Sequence, residues 1–183
     1  YKTLTIIPAA GKGTRVNLKI PKILIKIGKL RIIDLLIKKV KNVSDEIIFV
    51  TSPKNQIQIK DYLDKKYKKK IKYHIILQKY PLGMGDAVFK ASKLIKNYHK
   101  ILVIWGDHIG ISKRSIDKIM KTKFQNNTCV LPLIKIKNPY VEYVFKNKNL
   151  TSIKESREGD KCNDKGFSDM GTFLFFSNRL EKF

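Results

Sequence analysis

Short apolar runs alternate with segments of helical period along most of this chain. Buried strands that alternate with helices are typical of βαβ units, in which helices cover both faces of a mostly parallel sheet. The alternation therefore predicts an α/β fold. Strands are predicted at 3–9, 46–51, 72–77, 100–105 and 128–135, and helices at 31–41, 53–66, 84–96 and 112–121.

The pattern changes after about residue 136. Strand-like pieces follow at 141–146, 149–153 and 171–177, with a polar loop from Ser156 to Asp169. We expect these pieces to form a small added β element beside the main sheet. Since no repeat or linker is evident, residues 1–183 are predicted to form a single domain. The chain starts without Met and stops in what reads as the opening of a helix, so we expect that domain to be incomplete at its C-terminus.

Composition argues against several classes of function. The two cysteines, Cys129 and Cys162, have no C-x-x-C spacing, so neither a disulfide framework nor a zinc site is indicated. No apolar run is long enough to cross a bilayer, and no signal-peptide pattern is present, so we expect a cytoplasmic protein with no membrane partner. The sequence leaves the oligomeric state open.

The formal net charge of +24 would attract nucleic acid or any polyphosphate. However, the lysines are spread over every segment of the chain, which is typical of a compositional bias. No zinc-finger spacing, heptad or RNA-binding aromatic motif accompanies them. We therefore expect no specific nucleic-acid partner.

The first predicted strand runs into a loop rich in glycine and cations, Ala9-Ala10-Gly11-Lys12-Gly13-Thr14-Arg15, which Pro21-Lys22 follows. Backbone N–H groups of such a loop can surround phosphate, and Lys12, Arg15 and Lys22 supply positive charge for a polyanion. The loop thus favours phosphate binding, although a G-x-G turn alone could be structural.

Polar residues follow two further predicted strands. In open α/β sheets ligands bind at the carboxyl ends of the strands. Asp107 comes directly after the strand at 100–105, and a carboxylate beside a phosphate loop suits Mg²⁺. A helix cap is the alternative role, for which Ser112 is better placed. Gln78 follows the strand at 72–77 and precedes a turn containing Gly83, and its amide could present a donor and an acceptor to a nucleobase.

Taken in order, these motifs resemble those of the sugar-1-phosphate nucleotidyltransferases, most closely the branch of uridylyltransferases that act on N-acetylglucosamine 1-phosphate. The resemblance implies a GT-A-like, Rossmann-type three-layer αβα sandwich. It also implies a reaction in which a sugar 1-phosphate attacks the α-phosphorus of an NTP and releases pyrophosphate. The matching stretches are Ala9 to Arg15, Pro21-Lys22, Gln78 to Ala87, Gly106-Asp107, Asn138-Pro139, Ile153-Lys154-Glu155 and Asp169-Met170-Gly171.

The resemblance implies a role for each matching residue. Arg15 and Lys22 would be the catalytic cations on the phosphates. Mg²⁺ would be the cofactor, held by Asp107. Glu155 and Asp169 would contact the sugar, although the family often has Asn where Asp169 stands. The nucleotide would be bound by Ala9, Ala10, Gly11, Lys12 and Gly13, and its base, uracil or thymine, by Gln78 and Gly83. The family's second metal-binding residue would lie beyond the end of this chain.

Three alternative functions are open. A cytidylyltransferase of the isoprenoid or molybdopterin type shares the opening loop, although Gln78 with the following Pro-Leu-Gly argues against it. A non-catalytic, pyrophosphorylase-like regulatory subunit would predict loss of Arg15, Lys22 or Asp107, and all three are present. A basic nucleic-acid-binding protein is the third alternative.

Overall fold

The computed structural model describes residues 1–11, 20–80, 82–123 and 129–177. Two 3₁₀ helices lie at Lys22–Leu24 and Ser156–Glu158. The helices are α1 (Ile32–Val40), α2 (Pro53–Tyr67), α3 (Gly83–Phe89), α4 (Ser92–Ile95) and α5 (Lys113–Met120). The strands are β1 (Thr3–Ala9), β2 (Lys26–Ile27), β3 (Leu30–Arg31), β4 (Glu46–Thr51), β5 (Tyr73–Leu77), β6 (Lys100–Ile104), β7 (Cys129–Val130), β8 (Leu133–Lys137), β9 (Val141–Lys146), β10 (Asn149–Glu155), β11 (Lys165–Asp169) and β12 (Thr172–Phe176).

A six-stranded sheet with the order β5-β4-β1-β6-β12-β7 forms the centre of the protein. β1 pairs in parallel with β4 and β6, and β4 pairs in parallel with β5. β12 runs antiparallel to both of its neighbours, β6 and β7. The predicted mostly parallel sheet is therefore confirmed.

Helices cover both faces of this sheet. Ile47 and Phe49 of β4 belong to a core that includes side chains of α1, α2 and α5. Their neighbours Ile48 and Val50 belong to a second core, with side chains of α3 and α4. Because successive side chains of a strand point to opposite faces, these two cores lie on the two sides of the sheet. The three-layer αβα arrangement is thus confirmed. In the part of the chain that the structure describes, no helix is both long and apolar enough to span a membrane.

A second, four-stranded sheet with the order β10-β9-β11-β8 is the expected added β element. Two details of the prediction are wrong. The piece at 171–177 does not join this sheet, because its residues Thr172–Phe176 are β12 of the main sheet, where Leu174 and Phe176 are buried. The polar loop from Ser156 to Asp169 contains a strand, β11, which pairs with β8 and β9.

Two predicted elements are also divided. The strand expected at 128–135 becomes β7 in the main sheet and β8 in the second sheet, with residue 128 outside the described part. The helix expected at 84–96 becomes α3 and α4, with a break at Ala91, whose backbone leaves the helical region at φ −88° and ψ 4°.

Asp34, near the start of α1, is the most densely bonded buried carboxylate. Its side chain is 1% exposed. It accepts hydrogen bonds from the Tyr67 hydroxyl at 2.7 Å and the Tyr62 hydroxyl at 2.8 Å, and it pairs with Lys66 Nζ at 2.9 Å. Burial alone would raise the pKa of Asp34, but its hydrogen bonds outweigh burial and hold that pKa below its usual value.

This network also holds the segment that carries Lys22. The backbone N–H of Arg31 donates to Asp34 Oδ2 at 2.9 Å, and the Arg31 guanidinium donates to the Leu24 carbonyl at 2.6 Å. Leu24 ends the 3₁₀ helix that begins at Lys22. Asp34 therefore stabilises both the packing of α1 on α2 and the position of Lys22.

We expect Asp34→Asn to lower the free energy of unfolding at pH 7 by about 2 kcal/mol or more, since an NH₂ donor replaces one of the two acceptor oxygens of this buried network and the charge that pairs with Lys66 is lost. A depressed pKa in the folded state adds stability above the unfolded-state pKa, near 4, and this stability is lost as pH falls through the folded-state pKa. Urea titrations at several pH values should thus show a smaller fall below pH ~4 in the variant than in the wild type. Asp61→Asn, at an exposed position of α2, is the control, and equal stability of the two variants would contradict this role.

Candidate functional site

The ends of β1 and β6 approach each other very closely. The backbone N–H of Gly106, just after β6, donates to the Pro8 carbonyl in β1 at 3.1 Å. A Cβ atom at Gly106 would lie 2.5 Å from that same oxygen, which is closer than carbon and oxygen can pack. Only glycine therefore fits, and Asp107 is held beside the end of β1.

Asp107 meets Lys22 at this edge of the sheet. Lys22 Nζ lies 2.6 Å from Asp107 Oδ2, although the two residues are 85 positions apart in sequence. Both side chains are partly exposed, at 50% for Lys22 and 38% for Asp107. The structure thus brings together a predicted phosphate-binding cation and the predicted metal ligand, in a position that a ligand can reach.

The predicted phosphate loop starts at the same place. Ala9 is the last residue of β1, Ala10 is buried and Gly11 is exposed. The predicted site residues Lys12, Gly13 and Arg15 lie outside the described residues. Their roles stay predictions.

Gln78 directly follows β5, and its side chain is held by two hydrogen bonds. It is 5% exposed, and its backbone N–H donates to the Thr51 carbonyl at the end of β4. Gln78 Nε2 donates to the Gly83 carbonyl at 3.0 Å and to Asp86 Oδ2 at 2.8 Å. Gly83 has φ +94°, a conformation that favours glycine. The structure thus brings the two predicted base-reading residues into contact, and it adds Asp86.

Asp86 is the residue whose part in the site the sequence does not reveal. As an acid in the first turn of α3, it has a sufficient local explanation as a charge on the helix dipole. The sequence signal that could reveal it is spacing, since Gln78 and Asp86 stand on either side of Gly83, whose turn can bring the two side chains together.

Asp169, one of the predicted sugar contacts, lies within hydrogen-bond distance of Tyr143, and Glu155, the other, is the last residue of β10. Tyr143 donates to Asp169 Oδ2 at 3.2 Å. Burial raises the pKa of Tyr143, and the charges of Asp169 and Glu155 raise it further. The hydroxyl therefore stays protonated at neutral pH and remains a donor. Tyr143 is a polar group of this region that the motifs did not identify as a contact.

The turn after Asp169 links this region to Asp107. Gly171 donates its N–H to Asp169 Oδ1 at 2.7 Å and accepts a hydrogen bond from the Trp105 N–H at 2.9 Å. A Cβ at Gly171 would lie 2.0 Å from His108 Nδ1, so the imidazole packs directly on the bare backbone of Gly171. His108 therefore joins the predicted metal ligand to the turn that follows Asp169.

One family model matches nearly the whole of this chain. The model of the family described as nucleotidyl transferase matches residues 4–175, which is nearly the whole chain. The chain belongs to the nucleotidyl transferase family.

Two relatives agree with this membership. The chain is 32% identical over 178 residues to the bifunctional protein GlmU of Buchnera aphidicola subsp. Schizaphis graminum, and 34% identical over 184 residues to that of subsp. Baizongia pistaciae. These alignments cover 94% and 97% of this chain but 36% and 39% of the relatives, so the chain spans little more than a third of their length.

The fold is shared with two solved structures. A protein described as a glucose-1-phosphate thymidylyltransferase from Bacillus anthracis has a TM-score of 0.83 at 18% identity, over 98% of this chain and 73% of that one. HddC from Yersinia pseudotuberculosis has a TM-score of 0.71 at 21% identity, over 98% of this chain and 79% of that one. At these identities the structures support the fold alone.

Within this nucleotidyl transferase fold, we expect Gly106→Ala to lower the free energy of unfolding by about 1–3 kcal/mol, because the new methyl group forces β1 and β6 apart. Gly110→Ala is the matched control, since a Cβ at Gly110 meets nothing within 4 Å. Urea unfolding of the two variants makes the comparison. Equal stability of both variants would contradict the close approach of Gly106 to Pro8.

Proposed function

We propose that the protein transfers a nucleoside monophosphate from an NTP, with UTP or dTTP as preferred donor, to a sugar 1-phosphate and releases pyrophosphate. The observation that carries this proposal is the Lys22–Asp107 pair beside the glycine loop, in a chain of the nucleotidyl transferase family. The GlmU relatives and the thymidylyltransferase neighbour support it. The cytoplasmic location expected from the sequence belongs to the same proposal.

The reaction makes modest chemical demands. The nucleophile is a phosphate oxygen that already carries negative charge, so no general base is required. The enzyme must align two polyanions and neutralise the charge that develops between them. Lys22 supplies one positive charge at the strand ends, and we propose that Arg15 and Lys12 supply others from the loop. Backbone groups of residues 9–13 would line the nucleotide.

The residues present fit a magnesium ion. Asp107 is a partly exposed carboxylate that already holds a cationic group, the Lys22 ammonium. Among the described residues no three His, Cys, Asp or Glu side chains cluster as a metal site. We therefore propose that Asp107 holds Mg²⁺ together with phosphate oxygens, an arrangement this ion accepts. Bound Mg²⁺ would neutralise phosphate charge, and Lys22, released from Asp107, would contact the reacting phosphates.

The other proposed contacts follow from the geometry of the strand ends. Gln78 and Gly83 would bind the base, because Gln78 follows β5 beside the end of β4. Glu155 and Asp169 would bind the sugar, with Asp169 held by the Tyr143 hydroxyl. The hydrogen bond between Trp105 and Gly171 keeps the turn that follows Asp169 close to Asp107.

The function is tested by Mg²⁺-dependent pyrophosphate release over a panel of NTPs and sugar 1-phosphates. We expect release only when both substrates are present, and a preference for UTP or dTTP over CTP of at least ~10-fold in kcat/KM. A preference for CTP with a non-sugar phosphate would favour the cytidylyltransferase. Nucleotide binding without turnover would favour a regulatory subunit, and salt-sensitive DNA binding alone would favour a nucleic-acid-binding protein.

We expect Arg15→Ala and Lys22→Met each to lower kcat/KM by at least ~100-fold, since each removes a positive charge that stabilises the transition state. Steady-state pyrophosphate assays make the measurement. Lys26→Met, which removes an exposed charge from the neighbouring strand β2, should keep near-normal turnover. If Lys22→Met behaves like Lys26→Met, then Lys22 has no part in the mechanism.

Asp107→Asn should abolish metal-dependent turnover while the protein stays folded. Calorimetric titration with UTP in the presence and absence of Mg²⁺, without a sugar 1-phosphate, adds a readout that does not depend on turnover. Mg²⁺ should tighten UTP binding to the wild type, and Asp107→Asn should lose most of this effect. An equal effect of Mg²⁺ on both proteins would remove Asp107 from the metal site.

A further inference from the structure

We infer that Asp86 is a positioning residue that fixes the orientation of the Gln78 side-chain amide and so selects nucleobases with an imino N–H. This inference rests on the proposed function, because it assumes that Gln78 contacts the base. The substrates selected are nucleotides of uracil, thymine and guanine. Those disfavoured are nucleotides of cytosine and adenine.

The contacts of Gln78 determine which end of its amide faces the turn. Both partners of the amide, the Gly83 carbonyl and the Asp86 carboxylate, only accept hydrogen bonds. The nitrogen must therefore face them, and its two hydrogens are both used. With Gln78 only 5% exposed, little solvent is available to replace either partner if the amide turns over.

Asp86 is itself held in place. Its second oxygen, Oδ1, pairs with Nζ of Lys90, the residue that follows α3, at 3.2 Å. The hydrogen bond from Gln78 is the largest cause that lowers the pKa of Asp86, and Lys90 adds to it. The carboxyl group is therefore ionised at neutral pH and can only accept from Gln78. A neutral amide at position 86 could donate as well as accept.

Among the described residues no group donates to Gln78 Oε1, so this acceptor is the polar atom of the amide that is left for a base. Uracil and thymine carry an N–H at N3, and guanine carries one at N1, so each can donate to this oxygen. Cytosine N3 and adenine N1 bear lone pairs instead, so a base bound in the same pose would place acceptor against acceptor. A buried mispaired polar group of this kind is a strong basis for discrimination.

The test compares kcat/KM and equilibrium binding of UTP, GTP, CTP and ATP in the wild type and in Asp86→Asn. The asparagine keeps the size of the side chain but can offer Gln78 either an acceptor or a donor, so the amide can turn over. We expect the preference for UTP over CTP to fall by at least ~3-fold in Asp86→Asn and further in Asp86→Ala. Lys93→Met is the control, because it removes an exposed lysine of α4 and should leave the preference unchanged.

A purely structural Asp86 would give a different result. Loss of a first-turn acid would weaken α3 and reduce affinity for all four nucleotides alike, with the ratios intact, and that outcome would overturn the inference. So would a wild-type protein that binds the four nucleotides equally. Absence of pyrophosphate release in the wild type would instead refute the proposed function, while the binding ratios would still decide the role of Asp86.

Discussion

The close contact between Gly106 and the Pro8 carbonyl is the constraint on which the rest of the site depends. Parallel pairing places the ends of β4, β1 and β6 along one edge of the sheet, but a side chain at position 106 would hold β6 away from β1. With glycine there, Asp107 reaches Lys22, and the Trp105 N–H reaches the Gly171 carbonyl. One missing methyl group thus brings the end of β1, the carboxylate of Asp107 and the turn that leaves the second sheet together.

Two supports lie on either side of this contact. Asp34 fixes Arg31, which in turn bonds the 3₁₀ helix that carries Lys22. Asp86 fixes Gln78 at the end of β5. Both supports use a carboxylate that only accepts hydrogen bonds, and both carboxylates have lowered pKa values, so they stay ionised at neutral pH. The site is therefore positioned by charged groups that are largely removed from the proposed chemistry.

The sequence predicts the elements that local pattern determines. β1, β4 and α2 lie within one residue of their predicted bounds, because strands buried on both faces are unbroken apolar runs and α2, which follows β4, has a helical period. The sequence does not predict which sheet β12 joins, because strand pairing depends on residues far apart in the chain. It also does not predict β11, because the sequence of that strand, KGFSD, has too few apolar residues. For the site, the sequence singles out Lys22, Gln78 and Asp107. Local sequence does not predict that Lys22 contacts Asp107 or that Gln78 contacts Asp86.

The central claim is that an oxygen of the sugar phosphate attacks the α-phosphorus of the NTP at this edge of the sheet. It is tested most directly by ³¹P NMR of the reaction with UTP, Mg²⁺ and a sugar 1-phosphate whose phosphate oxygens carry ¹⁸O. The account predicts an isotope-shifted resonance in the nucleotide sugar and none in the released pyrophosphate. Label in the pyrophosphate, or label lost to water, would contradict it.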